Sequence, residues 1–146
     1  MLITNHVLSG AVVGAVLRDP VRAAGAGFVS HFVLDTVPHF GVDDEHLMRI
    51  AVPDGLIGLA TIATVVRMTP KPLVAPVLAG ILGACLPDLD KPGRQFFGRS
   101  PFPGWFDAVH AGIQDEESHR FPVELAAAAV SAGLLAVLLR GRRLGG

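Results

Sequence analysis

Hydrophobic positions fall into five runs separated by polar stretches: Leu2 to Leu17, Ala23 to Pro38, Val52 to Val66, Leu73 to Leu86, and Val123 to Leu139. None contains Lys or Arg. Each run predicts a helix, and small residues such as Gly10 and Gly14, four apart, suit close helix–helix approach. The pattern predicts an all-α fold: a polytopic membrane helical bundle of about five short helices, in one domain covering residues 1–146. The longest connection, Lys91 to Phe121, carries Phe96, Phe97, Phe102, Trp105 and Phe106 among Pro and Gly. It predicts an aromatic-rich loop between the fourth and fifth helices. Such a loop either forms a collar at the membrane interface or packs on the helix ends.

Run length alone leaves a competing reading open. A helix needs ~20 residues to cross the hydrocarbon core, whereas ~10–14 apolar residues more often make a buried helix of a soluble bundle. Several runs fall between these values. Composition leans toward the membrane: the chain is 51% hydrophobic and 17% charged, with a mean hydropathy of +0.51, against ~25% charged in soluble domains. Charge placement leans further. If the runs are antiparallel spans, Arg18, Arg22, Arg67, Lys71, Arg140, Arg142 and Arg143 lie on one side with Asp19 as the only acid. The other side holds the remaining five basic residues, twelve acids and all six histidines. The positive-inside rule makes the basic side cytoplasmic, with the N-terminus outside and the C-terminus inside. The N-terminus lacks the basic region of a signal peptide and is expected to be retained. A net charge of −1 gives no global attraction for nucleic acid. Cys85 is alone, so it forms no intrachain disulfide, and within an apolar helix it is expected to be inert.

The acidic side carries the candidate chemistry. His31 and Asp35 are four apart and share a helix face, and His39 follows just beyond Pro38. Imidazole and carboxylate at this spacing suit a divalent metal, zinc first and manganese or iron next. A hydrogen-bonded His–Asp pair that pins helices together is the other reading. The fourth run ends in Leu86-Pro87-Asp88-Leu89-Asp90. Carboxylates there are costly unless paired or metal-bound, and the helix dipole disfavours them further. His6 opens the first run at the same level. Asp54 and Glu124, in the first turns of the third and fifth runs, are dipole partners or ligands. His110 and His119 are candidates for a second site or for proton transfer. His46 and the Asp115 to Glu117 stretch read as solvated.

Thr4-Asn5-His6 with Gly10, then His31-x-x-x-Asp35-x-x-Pro38-His39, then Leu86-Pro87-Asp88-Leu89-Asp90, then a late His-rich stretch resemble a family of small bacterial inner-membrane proteins, the membrane-bound metal-dependent hydrolases. The resemblance spans about residues 4 to 124. The His31 to His39 element is more faintly similar to zinc-dependent phospholipase C, in which His and Asp residues hold a zinc cluster. The chain departs from the hydrolase pattern after the Asp pair: His110-Ala111-Gly112-Ile113-Gln114 stands where His-Arg-Gly-x-Thr-His-Ser is typical. His119 and Glu124 are five apart, where the phospholipase has four.

Two functions follow as expectations. The first is a metal-dependent hydrolase of the bacterial inner membrane, with its centre at the extracytoplasmic face and a lipid or phosphoester substrate. His6, His31, Asp35, His39, Asp88 and Asp90 are its metal ligands, and His110 and His119 its catalytic groups. The second is a non-catalytic membrane protein in which the same residues form a structural metal site or a buried polar network.

Overall fold

The computed structural model describes residues 1–143. They form seven α-helices: α1 (Ile3–Leu17), α2 (Pro20–Asp35), α3 (Asp44–Met68), α4 (Lys71–Cys85), α5 (Asp90–Phe97), α6 (Gly104–Ile113) and α7 (Phe121–Arg143). Single 3-10 turns at Pro87–Leu89 and Ser118–Arg120 lead into α5 and α7. The side chains of Asp44, Arg142 and Arg143, which enter the charge asymmetry above, lie outside the described residues.

Three helices form the centre, and small residues are the reason. A Cβ on Gly80 of α4 would collide with the carbonyl of Gly10 on α1, and one on Gly14 with the carbonyl of Pro76. On the other side, a Cβ on Gly27 of α2 would meet the Gly80 carbonyl, and one on Gly83 the Ala24 carbonyl. α4 is thus in backbone contact with α1 and α2 at once, the approach that small residues at helix interfaces permit. The apolar core adds Val7, Ala11 and Ala15 of α1, Val65 of α3, Leu73, Val77 and Ile81 of α4, and Leu135 and Leu139 of α7.

The α1–α2 turn needs only Arg18 and Asp19. Arg18 takes a left-handed conformation (φ 60°), and its amide donates to the Gly14 carbonyl at 3.1 Å, closing α1 as such caps do. Asp19 then caps α2 by accepting the Arg22 amide at 2.7 Å, with Pro20 in the first turn. This tight reversal sets α1 and α2 antiparallel, so His6 near the start of one helix lies beside His31 near the end of the other.

α3 and α7 flank this centre with largely exposed apolar faces. Leu56, Leu59, Val130, Leu134 and Val137 are all more than half exposed. Glu45–Met68 and Ser118–Gly141 are each long and apolar enough to cross a membrane. α4 with the following Pro87–Phe97 segment passes as a pair bent by 51°. α1 and α2, with 15 and 16 residues, extend about 22–24 Å at 1.5 Å per residue, short of the ~30 Å hydrocarbon core.

Two expectations are corrected. The Lys91 to Phe121 connection is not a loop, because it contains α5 and α6. Its aromatics divide into a packed and an exposed set. Phe102 and Phe106 pack inward, Phe106 against Phe28 and Phe32 of α2, whereas Phe96, Phe97 and Trp105 stand 67–80% exposed. α3 begins at Asp44 rather than Val52, so His46 lies in a helical first turn, still exposed and paired with Asp43.

The Gly80 contact gives a direct stability test. Gly80→Ala is expected to cost about 1–3 kcal/mol by overpacking against backbone that has no room to move. Gly133→Ala on α7, where an added Cβ meets nothing within 4 Å, is expected to be neutral or to gain up to ~1 kcal/mol of helix propensity. Thermal unfolding of both variants in the same detergent checks the difference.

Candidate metal centre

Asp35, the last residue of α2, is fully buried and is the hub of the site. Its Oδ1 lies 2.8 Å from the Met1 amine and 3.2 Å from His6 Nε2. Its Oδ2 lies 3.1 Å from His31 Nε2 and 3.3 Å from His110 Nε2, and it accepts a hydrogen bond from Gln114 Nε2 at 3.0 Å. The three imidazoles arrive on different helices. His6 is in the first turn of α1, His31 is one turn back along α2, and His110 is in the last turn of α6, with Gln114 just past its end.

Outer contacts orient the rings. His31 Nδ1 donates to the Ala84 carbonyl at 2.8 Å, which leaves Nε2 to face Asp35. His6 stacks on His31 at a 4.0 Å centroid separation. Phe32 and Phe106 pack against His110. Burial opposes a charge on His110, but its hydrogen bonds to Asp35 and Asp90 prevail and raise its pKa to about 9. His110 Nε2 lies 2.9 Å from His31 Nε2.

Asp88 and Asp90 complete the cluster just beyond α4. Asp88 Oδ2 is 3.7 Å from His6 Nε2, and Asp90 Oδ2 is 3.5 Å from His110 Nδ1. Three overlapping groups have ligand atoms within 4.8 Å of one another: His6, His31 and Asp88; His31, Asp35 and His110; and Asp88, Asp90 and His110. In the second group the separations are 2.9, 3.1 and 3.3 Å. Ligands at ~2.0–2.1 Å around a tetrahedral zinc stand about 3.3 Å apart, so the group fits such an ion with little movement. The mixed nitrogen and oxygen donors also suit manganese or iron. Among the described residues, neither His6 Nδ1 nor Asp90 Oδ1 has a hydrogen-bond partner, although both are buried. Buried polar groups are rarely left this way, and an ion is one resolution.

Of the residues singled out from sequence, His6, His31, Asp35, Asp88, Asp90 and His110 come together. His39 is buried beside them but faces elsewhere. Its Nδ1 donates to the Val37 carbonyl, and its Nε2 lies 2.6 Å from the Met1 amine and 3.3 Å from Glu116 Oε1. The His39 contact lowers the Glu116 pKa, against partial burial. His119 stands apart, 73% exposed and paired with Glu117. Asp54 and Glu124 act as anchors for the start of α1. Asp54 accepts from the Ile3 amide (2.6 Å) and the Thr4 hydroxyl (2.6 Å). Glu124 accepts from the Leu2 amide (3.1 Å), Asn5 Nδ2 (2.6 Å) and the Phe40 amide (3.2 Å).

Two residues of the site were not anticipated. Gln114 is four residues after His110, and Lys91 three after Asp88, which its Nζ reaches at 2.9 Å. Each spacing signals a shared helical face, but only once the segment is known to be helical.

Removing the Glu124 carboxylate would leave the part-buried Leu2 and Phe40 amides unpaired and Asn5 Nδ2 with only the carbonyl of residue 124. Glu124→Ala is therefore expected to cost at least about 2 kcal/mol, whereas His119→Ala should stay within about 0.5 kcal/mol of wild type. Chemical denaturation in detergent compares them.

No family model matches this chain, and no curated protein or solved structure matches it either.

Proposed function

We propose that this protein is a metal-dependent hydrolase of the bacterial inner membrane, acting at the extracytoplasmic face on a lipid or phosphoester. The observation that carries the reading is the convergence on buried Asp35 of three imidazoles from α1, α2 and α6 at metal-ligand separations. His6, His31, Asp35, Asp88 and Asp90 would hold the ion, with zinc the first choice and manganese or iron next. Bound there, a divalent ion supplies Lewis-acid polarisation and water activation. His110 lies between Asp35 and Asp90, within reach of both for proton transfer. Gln114 steadies Asp35.

The membrane setting follows from α3 and α7, with the bent α4–α5 pair as a third crossing and α1 and α2 crossing as shorter members of one bundle. The excess of basic residues at the opposite end puts the C-terminus in the cytoplasm and the N-terminus outside. Exposed Phe96, Phe97 and Trp105 then lie at headgroup level beside the centre. The family resemblance of the His31 to His39 and Leu86 to Asp90 elements points the same way.

A second reading has its own support. Asp54 and Glu124 already use buried carboxylates to brace α1, and the Asp35 cluster could brace the bundle likewise, with or without an ion.

Metal analysis of the purified protein separates the two readings. The hydrolase reading expects at least one equivalent of metal per chain, lost in His31→Ala and Asp88→Ala, with phosphoester or lipid hydrolysis lost in parallel. A metal-free wild type whose stability is unchanged by both substitutions would sink the centre. Full metal content with no hydrolysis in a broad screen would favour the structural reading. Separately, a reporter fused to the C-terminus is expected to read cytoplasmic, and a periplasmic signal overturns the orientation.

A further inference from the structure

Asp35, Asp88 and Asp90 bring three carboxylates to one centre. With the buried Met1 amine on Asp35, a single divalent ion only balances those carboxylates and leaves no positive charge for an anionic substrate. A further cation is in contact with the centre. Lys91, in the first turn of α5, places Nζ 2.9 Å from Asp88 Oδ1, while Asp88 Oδ2 turns toward His6. Three other cations of this end are engaged: the buried Met1 amine on Asp35, Arg94 on Asp107, and Arg120 on Asp115 and Glu117. Lys91 also differs from the ligands in exposure. Its side chain is 35% exposed, against 10% for Asp88, so it reaches from the buried carboxylates toward the rim.

We propose that Lys91 is the cation that the centre presents at its rim and makes it a receptor for a phosphoester anion, held between the metal position and the Lys91 ammonium. The proposal rests on the metal-centre reading above. One divalent ion, the Met1 amine and the Lys91 ammonium together outweigh the three carboxylates by one charge. An arriving phosphate oxygen can then share the ammonium, which has three donors and spends at least one on Asp88. The anion is either a lipid headgroup or a soluble phosphoester, two sources with one recognition chemistry.

The test uses the full-length protein in detergent, loaded with Zn²⁺, with metal content and inorganic phosphate binding measured separately. Lys91→Met is expected to keep its metal and lose phosphate affinity by about tenfold or more, the value of a charge-assisted hydrogen bond. Lys91→Arg keeps the charge and is expected to stay within about threefold of wild type, a difference below ~0.7 kcal/mol. Wild-type phosphate affinity in Lys91→Met overturns the proposal. So does loss of metal and phosphate together in both variants, which would make Lys91 a structural residue. A metal-loaded wild type that binds no phosphate overturns the proposal and leaves the metal centre standing. A wild type that takes up no metal overturns the centre itself, and the proposal with it. In a second arm, the protein is placed in nanodiscs of phosphatidylcholine with or without phosphatidic acid. Weaker apparent phosphate affinity with phosphatidic acid supports the lipid source, and unchanged affinity supports the soluble one.

Discussion

A carboxylate buried without solvent is the constraint around which this structure is organised. An isolated ionised Asp35 in an apolar bundle would cost several kcal/mol even after relaxation. Its two oxygens instead meet the Met1 amine, three imidazoles and the Gln114 amide. Each partner comes from a different part of the chain. Satisfying one charge therefore fixes α1, α2 and α6 relative to one another at this end of the molecule.

The partners can reach Asp35 only because the helices approach so closely. Gly10, Gly14, Gly27, Gly80 and Gly83 put α4 in backbone contact with α1 and α2. A bulkier interface would separate the helices by one or two side-chain layers and pull His6 away from His31. Packing and chemistry are thus coupled: the small residues set the distance at which the ligand atoms meet. Asp54 and Glu124 add a second level of control by holding the first residues of α1, which fixes the height of His6 against Asp88.

The two ends of the molecule answer to different solvents. α3 and α7 show water-incompatible faces over most of their length, while α5 and α6 carry paired charges and exposed aromatics together. That combination is what a segment lying at a bilayer surface requires, because the ring faces meet acyl chains and headgroups while the ion pairs meet water.

The sequence by itself determined the all-helical class, the five longer helices and the residues that would gather its ionisable groups. Long apolar runs and separated charges are local properties, legible without the fold. The members nearest the hub, His31 and Asp35, were legible because they are one helical turn apart, and Asp88 and Asp90 because carboxylates after an apolar helix are costly. Only the tertiary structure decided between candidates that look alike in sequence. His110 turns inward and His119 outward, although both are histidines of one polar connection. The difference is that α6 packs its Phe106 and His110 face on α2, whereas His119 sits in a 3-10 turn with nothing above it. Asp54 and Glu124 likewise became anchors for backbone amides, which no residue pattern encodes. Lys91 and Gln114 joined the site through short helices hidden in a stretch rich in Pro and Gly, where periodicity is too brief to read.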